Sequence, residues 1–229
     1  MSGIKVCVFD AYGTLFDVAA AARALAAEPG REAFASVWQQ VAADWRVKQL
    51  SYSWLRAVAG DHCDFWQVTC DALDWALDRA AMAEPDLREA LLGLYWTLDA
   101  YPEVPEMLAA LKGAGLQTAI LSNGSPEMLK GAVESAGISP LLDAVLSVED
   151  VGVFKPDARV YDMVGARFGC TREEVLFVSS NGWDAAFGAA YGFDTLWVNR
   201  AGEPMDRLSG RPGRVADDLT GVPVLAGVV

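Results

Sequence analysis

The residues of this chain that could do chemistry sit at the ends of short apolar runs. Asp10 follows Val6-Cys7-Val8-Phe9 and precedes Ala11-Tyr12-Gly13-Thr14-Leu15. Ser122 and Asn123 follow Leu116–Leu121 and precede Gly124-Ser125-Pro126. Ser179, Ser180, Asn181 and Asp184 follow Val175–Val178. Such runs read as buried strands of a parallel sheet. Ligands of open α/β sheets bind at strand carboxyl ends, so these polar groups would sit in the crevice. Each position also has a plainer reading. Asp10 would cap a following helix equally well. Ser122 and Asn123 suit an anion, but Ser125 before Pro126 is equally a helix start signal. Lys155, in Val153-Phe154-Lys155-Pro156-Asp157, reads by default as solvated surface. Pro156 suits the first helical position. Arg46, on an amphipathic stretch, is by default a surface residue.

Two kinds of segment must position these groups. From Asp17 to about Trp96 the pattern is helical throughout. Helices are expected over Val18–Glu28, Arg31 to about Gln49, a short one from Ser51 or Ser53 to Gly60, Asp64 to about Met82, and from Pro85 through Tyr95. From about Thr97 helix and strand alternate. Helices are expected over Val104–Ala114, Pro126–Ala136, Asp157–Phe168 and Gly182–Tyr191. Strands are expected over Leu116–Leu121, Ala144–Val148, Val175–Val178 and Thr195–Val198. A short strand or turn falls near Arg214–Ala216. Repeating βα units imply a parallel sheet with helices on both faces.

With 53% hydrophobic residues among 229 the chain can bury a substantial core. Its formal net charge of −13 argues against nucleic acid and anionic membranes as partners. An anionic substrate would then depend on local cations. The four cysteines form no CxxC pair and His62 is the single histidine, so a Cys/His zinc site is not expected. Cys63 and Cys70 are expected on one helix face. A reducing compartment, a cytoplasmic location and no signal peptide or membrane span complete the expectation.

Asp10-Ala11-Tyr12-Gly13-Thr14-Leu15 resembles the first motif of the haloacid dehalogenase-like superfamily, whose leading Asp is a covalent nucleophile. Phosphatases of that superfamily carry a second Asp where Tyr12 stands, whereas the L-2-haloacid dehalogenases have Tyr. Leu121-Ser122-Asn123-Gly124, Lys155-Pro156 and Ser179-Ser180-Asn181-Gly182-Trp183-Asp184 are similar to the later motifs of the dehalogenases. Ser180 replaces an acid that magnesium-dependent phosphatases keep, and a hard cation needs such oxygen ligands. Trp45-Arg46-Val47-Lys48-Gln49-Leu50-Ser51-Tyr52-Ser53-Trp54-Leu55-Arg56 resembles the dehalogenase cap segment. Val47 departs from the family's usual Gln, which would alter the polarity of the pocket wall.

The resemblance implies a Rossmann-like, doubly wound parallel core (1–16 and 97–229) with an inserted helical cap (17–96). It implies hydrolytic dehalogenation of short L-2-haloalkanoic acids to D-2-hydroxy acids through an aspartyl ester, with no metal and no cofactor. The catalytic residues it implies are Asp10, Thr14, Arg46, Ser122, Lys155, Tyr161, Ser179, Asn181 and Asp184. Substrate would also meet Ala11, Tyr12, Asn123 and the apolar walls Leu50, Phe65 and Trp183, though these three could be core. Tyr161 could likewise be a packed helix residue. The partners implied are the 2-haloacid, the halide product and a second copy of the chain in a homodimer.

Overall fold

In the computed structural model, which describes residues 3–228, β1 (Val6–Phe9) is buried along its whole length. Its parallel neighbours are β2 (Gln117–Ser122) on one side and β4 (Val175–Ser179) on the other, with Phe9 opposite both Ile120 and Val178. β3 (Ala144–Ser147), β5 (Asp194–Val198) and β6 (Arg214–Ala216) complete a sheet of order β3-β2-β1-β4-β5-β6, parallel throughout. Strand order reverses at β1. Such a reversal opens a crevice beyond the strand carboxyl ends, where Asp10, Ser122 and Ser179 fall.

Between β1 and the rest of the sheet lie five helices: α1 (Ala20–Ala26), α2 (Glu32–Ala35), α3 (Trp38–Ala59), α4 (Phe65–Arg79) and α5 (Pro85–Tyr95). The chain leaves and re-enters the sheet region along paired segments. Asp17 N–H donates to Asp99 O at 3.0 Å, Tyr101 N–H donates to Leu15 O at 2.9 Å, and Phe16 bridges Ala100. α3 buries Val41, Trp45, Gln49 and Ser53, a four-residue repeat on one face. It packs that face on α4, where Trp45 Nε1 donates to Thr69 O at 2.8 Å. The βα units continue through α6 (Val104–Gly113), α7 (Pro126–Ser135), α8 (Ala158–Phe168) and α9 (Gly182–Tyr191).

Four expectations need correction. One helix, α3, runs where a break at Leu50–Ser51 was expected, and the break falls instead at Ser36–Val37. Ser53 starts no helix, because its hydroxyl donates back to Leu50 O at 2.8 Å inside α3. Cys63 and Cys70 do not share a helix face: Asp64 caps α4 by accepting from Gln67 N–H, so Cys63 precedes the helix. Pro156 is not the first helical residue, since Asp157 is the cap of α8 and accepts from Arg159 N–H at 3.0 Å. The tail also holds a short helix, α10 (Val222–Leu225), that hydrophobic periodicity did not single out.

Candidate active site

The turn after β1 is tight because one carbonyl, Ala11 O, accepts from the amides of Thr14, Leu15 and Phe16. Gly13 sits at φ +89°, and a Cβ there would lie 3.1 Å from Ser180 Oγ, so the position favours glycine twice over. The amides of Ala11 and Tyr12 in this turn, and of Asn123 after β2, donate to no backbone carbonyl among the described residues.

Asp10 projects from this turn and is 6% exposed. Lys155 Nζ donates to its Oδ1 at 3.2 Å. The Thr14 hydroxyl (3.0 Å) and Asn181 Nδ2 (2.9 Å) donate to its Oδ2. The same ammonium donates to Asp184 Oδ2 at 2.8 Å, so it lies between two carboxylates from opposite ends of the sequence. Asp184, wholly buried in the first turn of α9, also accepts from the Tyr161 hydroxyl (2.7 Å) and the Ser179 hydroxyl (3.1 Å).

Burial raises the Asp184 pKa; Lys155 pulls it back and the Asp10 charge adds to the rise. Burial works against the Lys155 ammonium, yet Asp10 and Asp184 outweigh it and hold its pKa above the ordinary lysine value. Tyr161 is pushed well up, by burial first and by Asp184 next. It therefore remains a donor to that carboxylate.

Thr14 ties two of these segments together. Its oxygen accepts from Ser180 N–H at 2.8 Å and lies 3.1 Å from Ser180 Oγ. Ser122 is 1% exposed and accepts from Gly124 N–H at 3.0 Å, leaving its own proton to point elsewhere. The Asn123 side-chain oxygen accepts from Lys155 N–H at 2.9 Å and so fixes the lysine's loop.

Arg46 reaches down from α3. Its Nη2 donates to Tyr12 O (3.2 Å) and Asn181 Oδ1 (3.0 Å), and its Nη1 to Gln49 Oε1 (2.8 Å). Arg46 is therefore no surface arginine. The Tyr12 ring stacks on Tyr95 at 5.6 Å and lies 6.2 Å from Phe65, with its buried hydroxyl unpartnered among the described residues. Burial, aided by Tyr95 and Asp10, pushes this phenol well up and keeps it neutral. Phe65 continues the apolar wall to Phe154 at 5.9 Å. Leu50, four residues beyond Arg46, is half-buried, and Trp183 packs edge-on against Trp54 at 5.3 Å. Val47 does not line the wall: it is 64% exposed on the outer side of α3.

Two contributors went unassigned in the sequence reading, Gln49 and Tyr95. Gln49 carried a signal, since a residue three past Arg46 on a helix faces the same way. Tyr95 carried none. Its hydroxyl meets Gln49 Nε2 at 3.1 Å only because α5 packs back toward the turn after β1. Among the described residues no three His, Cys, Asp or Glu side chains converge as a metal site requires.

Comparison with known proteins gives this geometry a context. The haloacid dehalogenase-like hydrolase family model matches residues 4–192. The chain is 44% identical over 207 residues to (S)-2-haloacid dehalogenase 1 of Pseudomonas sp. (strain CBS-3), covering 90% of this chain and 89% of that protein. It is 46% identical over 202 residues to an (S)-2-haloacid dehalogenase of Xanthobacter autotrophicus, covering 86% and 76%. Among solved structures, an L-2-haloacid dehalogenase from Xanthobacter autotrophicus with chloropropionic acid covalently bound superposes with a TM-score of 0.87. That pair is 36% identical, with 98% of each chain covered.

Proposed function

The chain belongs to the haloacid dehalogenase-like hydrolase family, and from that footing we propose the chemistry its own residues carry out. It hydrolyses short-chain L-2-haloalkanoic acids to D-2-hydroxy acids through an ester on Asp10. Relatives of 36–46% identity are (S)-2-haloacid dehalogenases. The observation that carries this reading is Arg46: a guanidinium from α3 reaches the turn that bears Asp10, where a leaving anion develops charge.

The Ser122 hydroxyl and the free amides of Ala11, Tyr12 and Asn123 hold the substrate carboxylate. Asp10, paired with Lys155 and aimed by Thr14 and Asn181, attacks C2 from the side opposite the halogen. The halide departs toward Arg46, and the configuration at C2 inverts. Asp184, oriented by Lys155, Tyr161 and Ser179, then takes a proton from water. That water adds to the ester carbonyl carbon of Asp10 and releases the hydroxy acid.

Tyr12, Phe65, Leu50 and Trp183 form the apolar walls. The helices of 17–96 act as a cap over the core, excluding bulk water from the carboxylate and the halide. Lys155 and Arg46 supply the countercharge, with no divalent ion or cofactor. The chain works in the cytoplasm as a homodimer. Four free thiols suit a reducing compartment, and exposed Val47, Leu55 and Val58 on α3 suit a second copy. No described helix is long and apolar enough to cross a membrane.

The test is halide release from L- and D-2-chloropropionate in the presence of chelator, repeated with Asp10→Ala. Release is expected from the L form alone, indifferent to chelator and abolished by the substitution. Solvent oxygen labelled isotopically should enter Asp10 in a single turnover. Label found only in the product alcohol on the first turnover would refute the ester.

A further inference from the structure

Elsewhere in the helical segment, Arg23, Arg56, Arg79 and Arg88 each pair with an aspartate. Arg46 is held differently. Its three partners are the Tyr12 carbonyl, the Asn181 amide oxygen and the Gln49 amide oxygen, and no carboxylate bonds it among the described residues. We propose that Gln49 is the positioning residue for Arg46, a neutral anchor that fixes the guanidinium for the departing halide without cancelling its charge. The proposal rests on the dehalogenase reading and deepens it.

Two features support the assignment. First, Gln49 is 1% exposed and its amide has one orientation. Nε2 donates to Thr69 Oγ1 at 2.8 Å and to Tyr95 at 3.1 Å, which leaves Oε1 as the atom facing Arg46. The amide cannot turn over, because its donors would then meet the guanidinium's donors. Thr69 is fixed in turn, its hydroxyl donating to Phe65 O at 2.7 Å. The anchor thus runs from Arg46 through Gln49 into α4.

Second, a neutral acceptor is the electrostatically suitable one. A carboxylate at the same place would pair with Arg46 and reduce its attraction for a halide, most severely in a site shielded from water. An amide oxygen aligns the fork and leaves the net charge for the leaving group. Gln49 does not touch the reacting atoms in this arrangement; it acts through Arg46.

The experiment is single-turnover halide release from L-2-chloropropionate and L-2-bromopropionate, with inhibition by added chloride, for the parent, Gln49→Leu and Gln49→Glu. Far-UV circular dichroism and thermal unfolding monitor the fold. Losing one bond to a charged group should slow chloride release about tenfold in Gln49→Leu. Bromide, the better leaving group, should be slowed less, so the chloride-to-bromide ratio falls. Gln49→Glu retains an acceptor yet should weaken chloride inhibition at least as much as Gln49→Leu. If Gln49→Leu does not fold, Thr69→Val, which removes the nearer of the two acceptors for Nε2, carries the same expectation, and Thr69→Ser should restore the parent ratio.

An unchanged ratio in a folded variant, or chloride inhibition of Gln49→Glu equal to the parent's, overturns the anchor role while leaving the dehalogenase reading intact. A parent enzyme that releases no halide from either acid overturns both.

Discussion

Replacing Asp184 by Asn separates the two halves of the proposed reaction. The side chains are nearly equal in shape, and the buried position accepts three hydrogen bonds, from Lys155 at 2.8 Å, Tyr161 at 2.7 Å and Ser179 at 3.1 Å. Asn can still accept through its oxygen but cannot take a proton. Meanwhile the donors to Asp10, at 3.2, 3.0 and 2.9 Å, remain in place. Ester formation should therefore fall by less than about tenfold, the modest loss arising because Lys155, freed of one carboxylate, concentrates its charge on Asp10 and tempers its nucleophilicity. Ester hydrolysis should fall by about 10²–10⁴, or roughly 3–5 kcal/mol of barrier, the usual worth of a positioned base. Mixed with excess L-2-chloropropionate, the variant should release one halide per active site in a burst and then stall. Mass spectrometry of the digest should find the peptide containing Asp10 carrying the acid as an ester. Continued turnover within about tenfold of the parent would refute Asp184 as the base. Absence of any burst from a folded variant would refute the independence of the two steps.

Tyr161→Phe removes a donor to the ionised form of Asp184, whose pKa burial already raises. Because turnover needs that carboxylate ionised and is lost as pH falls through its pKa, the acid limb of the pH–rate profile should move to higher pH; an unmoved limb contradicts the role. Lys155→Met leaves Asp10 and Asp184 buried without their countercharge and should cost about 3–5 kcal/mol at neutral pH. Urea unfolding should show the deficit shrinking in mild acid, where one carboxylate takes a proton; a constant deficit would count against the cause. Gly188→Ala sets a Cβ 2.6 Å from Phe177 Cδ1 and should lower stability by about 1–3 kcal/mol in the same assay. Burial pushes the Cys7 thiol up to about 12, so a thiol-disulfide reagent should label no more than Cys63, Cys70 and Cys170 until denaturant is added.

What the sequence by itself determined is local and periodic. Apolar runs ending in Asp10, Ser122 and Ser179 marked strands and the carboxyl ends where polar groups gather, because a strand buried on both faces leaves little choice of residue. Ser125 before Pro126 marked a helix start because a short oxygen there satisfies a free amide. Where two local signals competed, as at Ser53, packing settled the matter: α3 buries that face against α4 and runs straight through. Only the tertiary structure decided which distant oxygens join Gln49 in holding Arg46. Asn181 lies 135 residues away in sequence, and Tyr95 meets Gln49 across 46. No spacing rule spans such distances, because these contacts follow from strand order and from where an inserted run of helices settles on the sheet. The same is true of the ammonium shared by Asp10 and Asp184. Its place between two buried carboxylates depends on three loops meeting at one reversal of strand order, which no single segment encodes.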